Sequence, residues 1–193
     1  LDGDDLEKIP GASKYFWVGN RTVLNFTNTD IFHDGRCTDL LEDSVAGWMR
    51  EAGIVFSGDT PADLIDEARS YRAELRKGVA RIIGGSRLPA ALLDATNGYL
   101  ARDATRLRLE QEEAGYVLGK RFEPKTAADF MAPIAESFAR MLTEDDLSRL
   151  RKCANPECVL YFYDVSKGGK RRWCSLDICG NKLRMAASRR RHA

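Results

Sequence analysis

The chain has 193 residues, 44% of them hydrophobic, which suits one ordinary globular domain plus a small second module. Its net charge of +1 hides an asymmetry: residues 1–150 carry 19 basic and 26 acidic side chains (net −7), whereas residues 151–193 carry 11 and 3 (net +8). No apolar run approaches the ~20 residues of a membrane span, so no membrane association is expected. A basic tail on an acidic body points to an anionic partner for the tail, nucleic acid first, or else to attraction between the two segments themselves.

In chain order, residues 1–14 are polar and read as a loose arm. Tyr15-Phe16-Trp17-Val18 is a short apolar run that suits a strand, stopped by Gly19-Asn20. Arg21 to Asn28 fits helix or strand, and Asn28-Thr29-Asp30 and His33-Asp34-Gly35 read as loop. Val45, Trp48 and Met49 mark one face of a helix near Ser44 to Glu51, stopped by Gly53. Thr60-Pro61-Ala62-Asp63 has the composition of a helix start. From there Leu64, Ala68, Tyr71, Leu75, Val79 and Ile82 form one buried stripe that ends at Gly84-Gly85. Pro89 opens a further helix. Arg106–Leu109 and Tyr116–Phe122 alternate around Glu112-Glu113-Ala114-Gly115 and predict a β-hairpin. Thr126 caps a helix carrying Phe130, Met131, Ile134, Phe138 and Met141, which Pro133 is expected to bend. Thr143-Glu144-Asp145-Asp146 starts a last short helix that feeds directly into Cys153, with no low-complexity linker, so the two parts are expected to pack together.

Four of the five cysteines lie in the last quarter, as C-x4-C-x15-C-x4-C: Cys153, Cys158, Cys174 and Cys179. Two equally spaced pairs suit one Zn²⁺ held tetrahedrally by four thiolates, a closed and therefore structural site. The alternative is two disulfides. An odd cysteine total and an N-terminus without a basic or apolar leader pattern make an oxidising compartment the poorer expectation, and a cytoplasmic protein the better one.

Around these ligands the sequence predicts a knuckle, a hairpin and a helix. Val159–Val165 would be an aromatic strand, Ser166-Lys167-Gly168-Gly169-Lys170 its turn and Arg171–Cys174 the return strand. Ser175 or a neighbour would cap a helix that contains Cys179 and continues through Leu183 to Ala187. About forty residues bury little apolar area, so metal binding would supply the folding energy. Lys167, Lys170, Arg171 and Arg172 mark the turn; Lys182, Arg184, Arg189, Arg190 and Arg191 mark the helix and tail. Together they are candidate phosphate contacts.

These residues resemble a known family. Arg172-Trp173-Cys174-Ser175 followed by Cys179-Gly180-Asn181, with Cys153-Ala154-Asn155-Pro156-Glu157-Cys158 upstream, resembles the bacterial CGNR zinc finger proteins. Leu24-Asn25-Phe26-Thr27-Asn28-Thr29 is similar to that family's N-terminal LDF-x-NT signature, and Asp39-Leu40-Leu41, Trp48 and the Leu92–Leu100 helix also fit. The resemblance implies an ABATE-type N-terminal domain, a transcriptional regulator described as stress-induced, and a DNA-binding finger with the four cysteines as zinc ligands. Lys182 stands where the family has Arg; it keeps the charge and loses the planar fork.

The sequence therefore predicts an α+β protein. Residues 1–148 would form a mainly helical sensor or oligomerisation domain with a small antiparallel hairpin, and residues 149–193 a four-cysteine finger. DNA is the expected partner, with a protein-docking or RNA-binding module as the alternative. A small-molecule effector is a further expectation, with Asn28 and Thr29 as candidates to line its cleft, and so is a homo-oligomer. No enzyme is expected: His33 and Cys37 fall in a polar loop, Glu110, Glu112 and Glu113 flank a turn, no phosphate loop is present, and a four-thiolate zinc has no open position.

Overall fold

The computed structural model describes residues 13–33, 36–102, 104–182 and 184–185. Among the described residues, five helices build the N-terminal body: α1 (Thr22–Thr27), α2 (Val45–Glu51), α3 (Leu64–Ile83), α4 (Ala90–Leu100) and α5 (Ala127–Glu144). Two hairpins interrupt them, β1 (Asp30–His33) with β2 (Arg36–Asp39), and β3 (Thr105–Glu112) with β4 (Gly115–Phe122). A 3₁₀ turn (Leu147–Arg149) leads into β5 (Leu150–Lys152), which pairs antiparallel with β6 (Tyr161–Tyr163). The architecture is α+β with a compact cysteine module at the C-terminal end.

The amphipathic stripes build the core as their spacing predicts. Leu64, Ala68, Tyr71, Leu75 and Val79 of α3 meet Phe130, Met131, Ile134, Phe138 and Met141 of α5, with Val23, Leu24 and Phe26 of α1 and Trp48 and Met49 of α2. Thr126 and Asp129 close a full capping box at the start of α5, and the helix runs on through Pro133. Gly78 lies under Leu92, and a Cβ there would collide with the leucine methyl, which would have to shift. The α3 helix starts at Leu64, with Pro61–Asp63 forming a preceding turn.

Three local expectations are corrected. Tyr15–Val18 is not a strand: Tyr15 is buried, Trp17 stacks on Trp48 (5.9 Å between rings), and Phe16 and Val18 pack against the cysteine module. Where loop is expected at Asn28-Thr29-Asp30 and His33-Asp34-Gly35, the strands Asp30–His33 and Arg36–Asp39 pair as a hairpin in the register Ile31↔Thr38 and Phe32↔Cys37. Cys37 is exposed there. Helix α5 extends through Glu144, so no new helix begins at Thr143.

Asp39, at the end of β2, anchors a buried charge. Arg72 is buried and donates to Asp39 Oδ1 (2.7 Å) and Thr29 Oγ1 (3.0 Å); Arg69 donates to Asp39 Oδ2 (2.7 Å). Burial pushes the Asp39 pKa up, but hydrogen bonds from Arg72, Arg69 and the Leu41 N–H outweigh it and bring the group down to about 2. A depressed carboxyl stabilises the fold above its unfolded pKa near 3.8, and that contribution fades as pH falls toward about 2. At neutral pH, Asp39→Ala should cost about 3 kcal/mol in urea unfolding, because Arg72 stays buried without its carboxylate.

Candidate metal centre and its cationic surroundings

Cys153 follows β5 and opens a tight knuckle, in which Cys158 N donates to Asn155 O (2.9 Å) and Glu157 N to Asn155 Oδ1 (3.2 Å). Cys174 is brought alongside by Ala154 N donating to Arg172 O (2.9 Å). Cys179 lies in a π-helical turn, Leu176–Gly180, capped by Ser175 Oγ, which accepts from Asp177 N and Ile178 N. All four thiols are buried, and their sulfurs lie within 4.8 Å of one another.

The sulfurs fit a zinc ion. Tetrahedral thiolates at ~2.3 Å from the metal stand about 3.8 Å apart; Cys158–Cys174 is 3.8 Å and Cys174–Cys179 is 3.5 Å. A disulfide would need ~2.05 Å, and all four cysteines are free. Backbone and amide donors support the sulfurs: Cys174 N donates to Cys153 Sγ and Asn155 Nδ2 to Cys179 Sγ, each at 3.4 Å. The thiols alone are in conflict. Hydrogen bonds from Cys158, Cys174 and Cys179 favour the Cys153 thiolate, while the bond to Cys153 holds the proton on Cys174. A divalent cation lets all four ionise, so the module carries one structural zinc.

The predicted hairpin is replaced by a different pairing. The strand β6 pairs with β5, upstream of the knuckle, in the register Leu150↔Tyr163 and Lys152↔Tyr161. Arg171–Cys174 is an irregular return, organised by the fully buried Asp164, which accepts from Ser166 N (2.9 Å) and Arg171 N (2.8 Å). Gly169 supplies the positive φ of +59° that this turn requires.

The cationic candidates separate into two groups. Arg171 turns inward: Nε donates to Trp173 O (2.9 Å), Nη2 to Val18 O (3.1 Å) and to Cys174 O, and the guanidinium lies 4.2 Å from the Phe162 ring. It ties the last ligand loop to the N-terminal body, so its fork is engaged within the protein. Arg171→Lys loses the fork, should cost about 3 kcal/mol, and should speed zinc release to a chromophoric chelator, whereas Arg172→Ala should leave that rate unchanged. Lys167, Lys170, Arg172, Lys182 and Arg184 are exposed. Arg172 lies over Trp173 (4.9 Å), and Lys182 pairs with Glu157 (3.1 Å). Among the described residues, Lys167, Lys170 and Arg184 have no acidic partner. Arg189, Arg190 and Arg191 lie outside the described residues.

Asn28 and Thr29, expected to line a cleft, are buried and engaged elsewhere. Asn28 Nδ2 donates to Tyr161 O (2.8 Å) and its Oδ1 accepts from Tyr161 N (2.9 Å), so its amide caps the free edge of β6. Gly19 O accepts from Tyr163 N (2.8 Å) and Asn20 Nδ2 donates to Tyr163 O (2.8 Å), completing that edge. Thr29 Oγ1 donates to Phe26 O (2.6 Å) and accepts from Arg72. Arg76, on α3, donates to Thr27 O (2.6 Å), Asp30 O (3.0 Å) and Val159 O (3.3 Å). The aromatics of β6 are therefore spacers between the two parts: Tyr161 and Tyr163 belong to the helical core, while Phe162 belongs to the cysteine cluster. Among the residues missed in the sequence, Asn155 was visible between the first cysteines, and Asp164 was visible ahead of a Ser-Lys-Gly-Gly turn.

Two family models match the chain. Residues 149–192 match the CGNR zinc finger, and residues 20–145 match ABATE, described as "Putative stress-induced transcription regulator". Among curated proteins, none matches the chain significantly.

Proposed function

We propose that this chain, which belongs to the ABATE family and carries a CGNR zinc finger, is a cytoplasmic regulator that binds DNA through the finger. The observation that carries the reading is the set of exposed cations at both ends of the zinc module: Lys167, Lys170 and Arg172 before the third ligand, Lys182 and Arg184 after the fourth. Zinc fixes both segments, so their charges meet a phosphate backbone without first being ordered. Tyr161, Phe162 and Tyr163 are buried, which removes them as stacking platforms for single-stranded RNA or as anchors for a protein. The reading is of a binding protein rather than an enzyme, since four thiolates leave the metal no open position.

A signal would enter through the cleft between α1 and α5, about 620 Å³ in volume, where Asn25, Ser137, Arg21 and Asp145 meet. Arg21 holds Asp145 with two hydrogen bonds and lies 4.3 Å from the Tyr163 ring. A small anionic effector competing for Arg21 would loosen the strand that seats the finger.

The test is selection from random duplex and single-stranded pools with zinc-loaded protein at physiological salt. Enrichment of a duplex motif is expected. Enrichment only among single strands would overturn the DNA reading in favour of RNA. No enrichment in either pool would overturn the nucleic-acid reading and favour a protein partner, for which exposed Leu176, Val165 and Met185 on the module would be the contact.

A further inference from the structure

Among the described residues, the β3 and β4 strands pair with each other and with no third strand. Such an isolated pair is marginally stable in water unless a face is covered. Its two faces differ. Directly opposed residues share a face, so one face holds Arg106 and Arg121, Arg108, and Glu110 with Val117. There Glu110 pairs with Arg121 and, at 3.5 Å, with Arg108. The other face holds Phe122, Leu107 with Lys120, Leu109 with Leu118, and Gln111 with Tyr116. Phe122 at its base packs near Phe130 of the core, 6.3 Å between rings. Beyond it, Leu107, Leu109, Leu118 and Tyr116 are 67%, 67%, 64% and 73% exposed. The core face of the hairpin thus continues past the edge of the domain with nothing on it among the described residues.

We propose that this face is covered by the same face of a second copy of the chain, the two hairpins crossing tip to base about a two-fold axis near Leu109 and Leu118. Two observations select a second copy. The four residues expose roughly 500 Å², the size of the largest and often functional patch on a typical monomer, and two copies together would bury about 1,000 Å², the threshold of a specific interface. The hairpin is also polar along its length. On the exposed apolar face the charged residue is Lys120, toward the base, and Glu113 lies at the turn. A two-fold, tip-to-base arrangement sets each Glu113 beside the partner's Lys120, twice per dimer; a partner of a single charge would match one end only.

Sedimentation of the zinc-loaded full chain between about 1 and 100 µM should show a reversible monomer–dimer equilibrium, the range expected for an interface of this area. Leu109→Asp with Leu118→Asp should raise the dissociation constant by more than about 100-fold while circular dichroism stays that of the parent. Because that variant removes apolar surface from a hairpin, an exposed charge swap provides the second arm. Lys120→Glu and Glu113→Lys should each weaken the dimer about 3- to 10-fold, and the two together should restore it. A parent that sediments as a monomer throughout overturns the proposal, as does a dimer indifferent to the aspartates. A double swap no tighter than either single swap overturns the tip-to-base arrangement.

Discussion

Chelating the zinc, or replacing Cys158 with Ser, should unfold the C-terminal module and partly open the N-terminal body with it. Zinc contributes on the order of 10 kcal/mol or more to modules of this size, far beyond what Phe162, Leu160 and the thiols can bury on their own. The effect should spread because Tyr161, Tyr163 and Leu150 complete the helical core. Hydrogen exchange should lose protection over residues 150–180, and tyrosine near-ultraviolet dichroism should fall. Helix α3 and helix α5 should retain protection, since Leu75, Val79, Phe130 and Phe138 pack together without the module. A module that stays protected after complete metal removal would show that zinc is not what holds it.

Asn28→Ala should be strongly damaging although it removes no apolar surface. It deletes two hydrogen bonds and leaves the buried N–H and C=O of Tyr161 without partners on that edge. At about 1–3 kcal/mol for each orphaned group, the cost is about 3–4 kcal/mol, readable as a lower urea midpoint. Asn28→Asp is the sharper probe. It keeps the acceptor for Tyr161 N but sets a carboxylate against Tyr161 O, so it should be at least as destabilising as Ala. Thr29→Val, by contrast, removes the bonds of Thr29 Oγ1 to Phe26 O and from Arg72, but Phe26 O keeps Thr29 N and Arg72 keeps Asp39, so it should cost about 1 kcal/mol. Equal effects from the three variants would mean that Asn28 does not seat the finger.

These two predictions mark where the sequence was legible and where it was not. The paired C-x4-C spacing is local, and thiolate chemistry allows few arrangements of it, so the ligand set can be read directly. The stripes of α3 and α5 are legible for the same reason: twenty and eighteen residues of helical periodicity leave little choice. The role of Asn28 was hidden because its partner is 133 residues away, and a buried amide after an apolar run reads equally well as a loop cap. The inward turn of Arg171 was hidden because Arg171 and Arg172 are the same residue type in adjacent positions. Only the fold decides that one reaches Val18 O and the other lies over Trp173. The strand β5 is three residues long between a turn and a knuckle, too short for any period to show. The β1–β2 hairpin was readable after all, since Asp34-Gly35 between Ile31-Phe32 and Arg36-Cys37-Thr38 is a hairpin signature in sequence.

The placement of the cations has a direct consequence for binding. Arg171 is structural, so a variant lacking it confounds loss of contact with loss of the module. Lys170, Arg172 and Arg184 are exposed, and Arg172 meets the Trp173 ring at the module surface. The most direct measurement is therefore the salt dependence of duplex DNA binding by zinc-loaded protein, compared with the triple Lys170→Ala, Arg172→Ala, Arg184→Ala variant. Each lost phosphate contact should flatten the slope of log K against log salt by about 0.9, so the variant should bind more weakly with a slope shallower by about 2 to 3. An unchanged affinity and an unchanged slope would contradict the account.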